Sequence, residues 1–141
     1  MFKRLILILM VSSSMLVMTA CHTVPYTGRT QFLMTSESEE KQLGEQAWKE
    51  LQKQERVDTN PGYVNALKRV GTNISKVVNK PDYNWEFKVF KNDTPNAFCL
   101  PGGKVGVYSG LFKYAANDAE LAAVVGHEIG HAIARHGGER M

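Results

Sequence analysis

Only two cysteines, Cys21 and Cys99, occur among the 141 residues. A disulfide framework needs more than one pair, so stability has to come from a packed core. Charge of one sign is also lacking. Lys and Arg number 17 against 14 Asp and Glu, and Lys3 and Arg4 lie in an N-terminal leader. The remainder is near neutral, which removes the electrostatic case for nucleic acid. No apolar run reaches the roughly 20 residues that cross a bilayer, and there is no repeat or low-complexity segment. What is there suits one small domain. Hydrophobic residues make up 43% of the chain, aromatic 9% and charged 22%, which supplies a core without the polar bias of a disordered segment.

Residues 1–20 read as a bacterial export signal. Lys3 and Arg4 form the positive start, and Leu5 to Met18 form an apolar stretch broken only by Ser12, Ser13 and Ser14. The alternative is a membrane anchor, against which the length and the serines argue. Small residues ahead of Cys21, in Met18-Thr19-Ala20, resemble a lipobox, with Met18 where Leu is usual. Cys21 is then the lipidated first residue of the mature chain. His22, not Asp, follows it, which by analogy directs the lipoprotein to the outer membrane, facing the periplasm. Cys99 is expected to pack as a small buried apolar group. Residues 21–35 hold Pro25, Gly28 and several Thr without a period, and read as a tether outside any core. The folded part is expected over 36–141.

Periodicity predicts three helices and three strands. Ser36-Glu37-Ser38-Glu39 is a capping box that opens a helix with Leu43, Ala47, Trp48 and Leu51 at helical spacing. Asn60-Pro61 opens a second, with a stripe Tyr63, Leu67, Val70, Ile74 and Val77, ending before Pro81. Trp85, Phe87 and Val89 alternate with Glu86 and Lys88 as in a strand with one apolar face. Asn92 to Pro95 turn the chain, Ala97 to Leu100 and Val105 to Tyr108 make strands around Pro101-Gly102-Gly103, and Gly110 to Tyr114 read as a helical turn. Asn117 and Glu120 cap a last helix that runs to about Arg135. The expected class is α+β, with helices packed on a small antiparallel sheet.

That last helix holds His127-Glu128-Ile129-Gly130-His131. At about 100° per residue the two histidines stand about 40° apart and one turn along the axis, so both imidazoles can reach one zinc ion. Glu128 leaves the helix on the adjacent face. It is therefore expected to be a general base and not a ligand: it takes a proton from the water that the metal acidifies and passes it to a leaving amine. Leu121, Val125, Ile129 and Ile133 form an apolar stripe, and Gly126, Gly130 and Ala134 a ridge of small residues. Two mid-helix glycines cost about 1 kcal/mol each against Ala, so they need a compensating reason, such as close approach of another backbone. His136 is one position off the third histidine of a metzincin and is expected behind the ligands or at the helix terminus.

Taken together, these segments resemble the gluzincin zinc metallopeptidases, the family of HtpX and the CAAX prenyl protease, and within it the LoiP-type outer-membrane lipoproteins. The resemblance rests on Thr27-Gly28-Arg29-Thr30-Gln31, on residues 96–103 from Asn96 to Gly103, and on residues 127–137 from His127 to Gly137. It implies a zincin-like, minigluzincin fold and one Zn2+ per complete domain, bound by His127 and His131 with Glu128 catalytic. It also implies that Asn96, Ala97 and Phe98 pair with an extended substrate by strand addition, although Phe98 is equally readable as core. The family's third ligand is a Glu on a later helix, beyond residue 141, so the chain is expected to be the N-terminal part of such a domain. Glu120 is no substitute, being about 10 Å from His127 along the helix. The expected function is lipid-anchored hydrolysis of peptide bonds in unfolded or damaged envelope proteins. The partners are polypeptides and, through Cys21, the membrane. The alternative is a truncated, inactive lipoprotein that only binds peptides.

Overall fold

A computed structural model describes residues 21–24 and 27–140, without the side chains of Cys21 and Arg140. The expected export signal, residues 1–20, lies outside the described residues. Among those residues no helix is long and apolar enough to cross a membrane. Helix α1 spans Glu37–Gln54 and starts on the expected capping box: Ser36 accepts from the Glu39 amide, and the Glu39 carboxylate accepts from the Ser36 amide. Helix α2 spans Pro61–Val78, capped by Asn60. Helix α3 spans Asp118–Ile133, capped by Asn117, and a 3-10 turn at Ser109–Lys113 precedes it.

Strands β1 and β2, at Cys21–Thr23 and Thr30–Phe32, form an antiparallel hairpin. This departs from the expected structureless tether. Gly28, with φ 68°, lets the chain reverse, and Val24, Gln31 and Leu33 are buried. They stand outside the main core cluster but inside the fold.

Strands β3, β4 and β5, at Glu86–Phe90, Ala97–Leu100 and Lys104–Tyr108, form the main sheet in the order β3-β5-β4. The sheet is mixed and not wholly antiparallel as expected: β5 runs antiparallel to β4 and parallel to β3. The reason lies in burial. Val105 and Val107 are fully buried and Lys104 nearly so, so β5 is covered on both faces and takes the centre. At Gly106 a Cβ would meet the Phe98 ring at 2.1 Å, so only glycine lets that ring lie across the central strand. The shorter-buried β4 is left at the edge.

One sheet face carries the main core. Leu67 and Val70 of α2 and Leu121, Val125, Ile129 and Ile133 of α3 pack with Val89, Ala97, Val105 and Val107. The expected stripe of α3 is thus the buried one. The other face is covered by α1, through a side that differs from expectation. Leu43 is 48% exposed, and the buried residues are Glu40, Gly44 and Trp48. At Gly44 a Cβ would lie 2.2 Å from the Pro101 carbonyl oxygen, so the helix axis can approach the β4–β5 turn only there. Trp48 meets Phe90 edge-on at 5.6 Å and gives its indole N–H to Glu86.

Candidate metal centre

Helix α3 carries the motif across the core to the free edge of β4. Its buried stripe fixes the rotation of the helix, and that rotation turns the next face, with His127 and His131, into an open groove that they line with Ile74, Val77 and Val78 of α2. The two Nε2 atoms converge to 2.9 Å, with ring centroids 4.4 Å apart and nearly perpendicular. Two imidazole nitrogens on one tetrahedral zinc stand about 3.3 Å apart at Zn–N distances of about 2.0–2.1 Å. The pair therefore fits a metal once the two rings part by a few tenths of an ångström. Among the described residues no third His, Cys, Asp or Glu joins them in a grouping that could hold a metal. Glu120 is occupied elsewhere: its carboxylate accepts from the Ala116 amide at 2.8 Å, at the start of the helix.

His136 lies behind the pair. Its Nδ1 is 2.6 Å from His131 Nδ1, so both ring nitrogens of His131 have neighbours, His127 on one side and His136 on the other. This agrees with the expected place of His136 behind the ligands.

Glu128 is half-buried on the side of α3 that faces β4. Among the described residues no hydrogen bond or ion pair engages its carboxylate. Its charge reaches Cys99 on β4. Burial first, and the Glu128 charge second, push the Cys99 thiol up to about 12. The thiol stays protonated at neutral pH, packed beside the core as a free cysteine, which suits neither a nucleophile nor a metal ligand.

Edge strand β4 presents an ordered backbone to this site. The Tyr108 amide donates to the Asn96 carbonyl at 2.9 Å, so Asn96, Phe98 and Leu100 aim their backbone groups at β5. Ala97 and Cys99 aim theirs at the free edge. The Ala97 side chain is buried toward α3, whereas Phe98 lies on the opposite face, among Trp48, Phe90 and Tyr108. Asn96 is exposed at the start of the strand.

Beside the histidines runs an open apolar groove of about 630 Å³, between Ile74, Val77 and Val78 of α2 and Gly126, Gly130 and Ile133 of α3. The expected close approach to the glycine ridge is not made by any described residue. A Cβ at Gly130 would meet nothing within 4 Å, and at Gly126 only Ile74 Cδ1 at 3.9 Å.

Residues 63–141, which include all but the first two residues of α2, the main sheet and all of α3, match the model of Peptidase family M48. The chain belongs to Peptidase family M48. Among relatives, the mitochondrial metalloendopeptidase OMA1 of Schizosaccharomyces pombe is 36% identical over 121 residues, which covers 84% of this chain and 36% of the relative. OMA1 of Saccharomyces cerevisiae is 27% identical, over 99% of this chain and 44% of the relative. The beta-barrel assembly-enhancing protease of Escherichia coli K12 is 30% identical over 114 residues, 81% of this chain and 23% of the relative. This M48 chain thus spans less than half the length of each of these relatives.

Sequence reasoning missed two residues of this M48 site. Arg135 and Glu40 form a buried ion pair, 2.7 Å from guanidinium Nη2 to carboxylate Oε1, at the C-terminal end of α3. Burial opposes the Glu40 charge, but hydrogen bonds from Arg135 and Thr35, with the guanidinium charge, hold its carboxyl below the usual range. The only signal was Glu40 at the first turn of a helix in register with Gly44 and Trp48, which is a core-facing position.

Proposed function

We propose that the protein is a zinc-dependent metalloendopeptidase, anchored by lipid on Cys21 to the outer membrane and acting in the periplasm on unfolded or damaged envelope proteins. The observation that carries the peptidase reading is the convergence of His127 and His131 Nε2 at 2.9 Å with Glu128 beside an open strand edge. His127 and His131 would hold the metal. When bound, zinc supplies Lewis acidity that polarises a scissile carbonyl and acidifies an attacking water. Glu128 accepts the proton of that water and returns it to the leaving amine. Its carboxylate is free for both steps.

The substrate reading rests on β4. Of the residues expected to bind substrate, Ala97 offers outward-facing backbone groups, and Cys99 joins it. Asn96 and Phe98 hold the strand from its other side. A peptide that pairs with such an edge must be extended, which favours unfolded polypeptides over folded ones. Met18-Thr19-Ala20 before Cys21, and His22 after it, support the lipid anchor and the outer-membrane location. Full-length protein carrying Glu128→Gln should keep zinc by atomic absorption and lose casein cleavage by about 10²-fold or more. His131→Ala should lose both. Cleavage by Glu128→Gln at the unmodified rate contradicts the proposed mechanism.

A further inference from the structure

Helix α3 ends in a conformation that its sequence does not favour. Arg135 has φ 56°, in the left-handed region where glycine is usual. The other described non-glycine residue with positive φ is Asn79, of a type that tolerates it. For Arg the conformation costs about 1–2 kcal/mol, and such strain persists only where the surroundings over-determine it. Here they do. Arg135 Nε donates to Glu40 Oε2 at 3.0 Å, and Nη2 donates to Glu40 Oε1 and to the Thr35 carbonyl, each at 2.7 Å.

The backbone consequence is a Schellman turn. The Arg135 amide donates to the Ala132 carbonyl at 3.1 Å, and the His136 amide to the His131 carbonyl at 3.2 Å. In this turn the side chain just past the left-handed residue meets the one five positions before it, usually as an apolar contact. Those two positions are His136 and His131, and the contact is the 2.6 Å approach of their Nδ1 atoms. An imidazole that ligates through Nε2 carries its proton on Nδ1 and needs a partner there to fix tautomer and ring plane. With His131 as the donor, the acceptor at 2.6 Å is His136 Nδ1, which puts the proton of His136 on Nε2.

We propose that Arg135 and His136 are positioning residues for His131: Arg135, locked left-handed by buried Glu40, turns the chain so that His136 fixes the ring of His131 with Nε2 toward His127. Stability alone does not account for the lock, because a buried ion pair is often no better than an apolar replacement. A glycine would allow the turn, but it would not tie the turn to α1.

The inference rests on the zinc reading, and its test separates the two. Co2+ affinity of the full chain is measured by chelator competition, and the His131 tautomer by long-range proton–nitrogen NMR, with folding checked by circular dichroism. His136→Leu should weaken Co2+ by about 10–100-fold and leave His131 distributed between tautomers. His136→Asn, which keeps an acceptor near the Nδ1 position, should recover most of the affinity. Arg135→Gly keeps the turn but frees it from Glu40, and should fall between. Unchanged affinity and tautomer in His136→Leu overturn the inference, and wild-type affinity in Arg135→Gly overturns the lock. If the unsubstituted chain takes up no Co2+, the zinc reading fails. In that case the metal-free His131 still decides the contact: Nδ1-protonated in the unsubstituted chain and mixed in His136→Leu supports it, and mixed in both overturns it.

Discussion

The two ends of α3 are held by different means. At the N-terminal end the partners are wet: Asn117 accepts from the Glu120 amide at 3.0 Å, and Arg69 pairs with Asp118 across 49 residues while both side chains stay about half exposed, at 55% and 49%. At the C-terminal end the main partner is distant and dry. Arg135 and Glu40 are 95 residues apart, with side chains 9% and 3% exposed, and Arg29, at the surface, reaches Glu139 across 110 residues with two 2.7 Å hydrogen bonds, the side chains 50% and 24% exposed. The end that carries the histidines is therefore the one tied to α1 and to the β1–β2 hairpin. A helix end that must hold a metal ligand to a fraction of an ångström gains from anchors on several elements, whereas an end that only begins a helix needs a cap.

The sharpest way to break this comparison is to remove one partner of the buried pair. Glu40→Ala leaves the Arg135 guanidinium in a dry site, and should cost about 3–5 kcal/mol in thermal or urea unfolding. Acid should act in the same direction. The folded carboxyl of Glu40 lies below its ordinary value of 4.5, so the stability it lends is full above that value and drains as pH falls through the lower folded value. Unfolding curves between neutral pH and pH 3 should lose this component in the native chain and show no such component in Glu40→Ala. At the other end, Asn117→Ala should cost about 1 kcal/mol. Asp118→Ala should cost less again, with the difference shrinking as salt is added. Equal losses at the two ends would dissolve the distinction.

The same contrast explains what the sequence made legible. Caps and motif are local: Ser36 with Glu39, Asn117 with Glu120, and His127-Glu128-x-x-His131 lie within five residues each, and all stand where their spacing implied. The stripe Leu121, Val125, Ile129 and Ile133 was legible for the same reason. Pairings between distant segments were not. Nothing in the alternation of Trp85, Phe87 and Val89 says that β5 lies beside β3, or that the face with Glu86 and Lys88 is roofed by α1, where Glu86 meets Trp48 and buried Lys104. The strand period showed which residues share a face, but not what covers it. Residues 21–35 escaped as a hairpin because three-residue strands are too short to show a period. Arg135 escaped because its left-handed turn depends on a carboxylate 95 residues earlier.

The central claim is that His127 and His131 hold a zinc ion for Glu128 to work beside. Zinc-edge X-ray absorption on the zinc-loaded full-length protein tests it most directly. The predicted spectrum has a nitrogen and oxygen shell at about 2.0–2.1 Å with outer-shell scattering from two imidazole rings, reduced to at most one ring in His131→Ala. A sulfur shell at about 2.3 Å, or an imidazole signal unchanged by His131→Ala, would contradict the account.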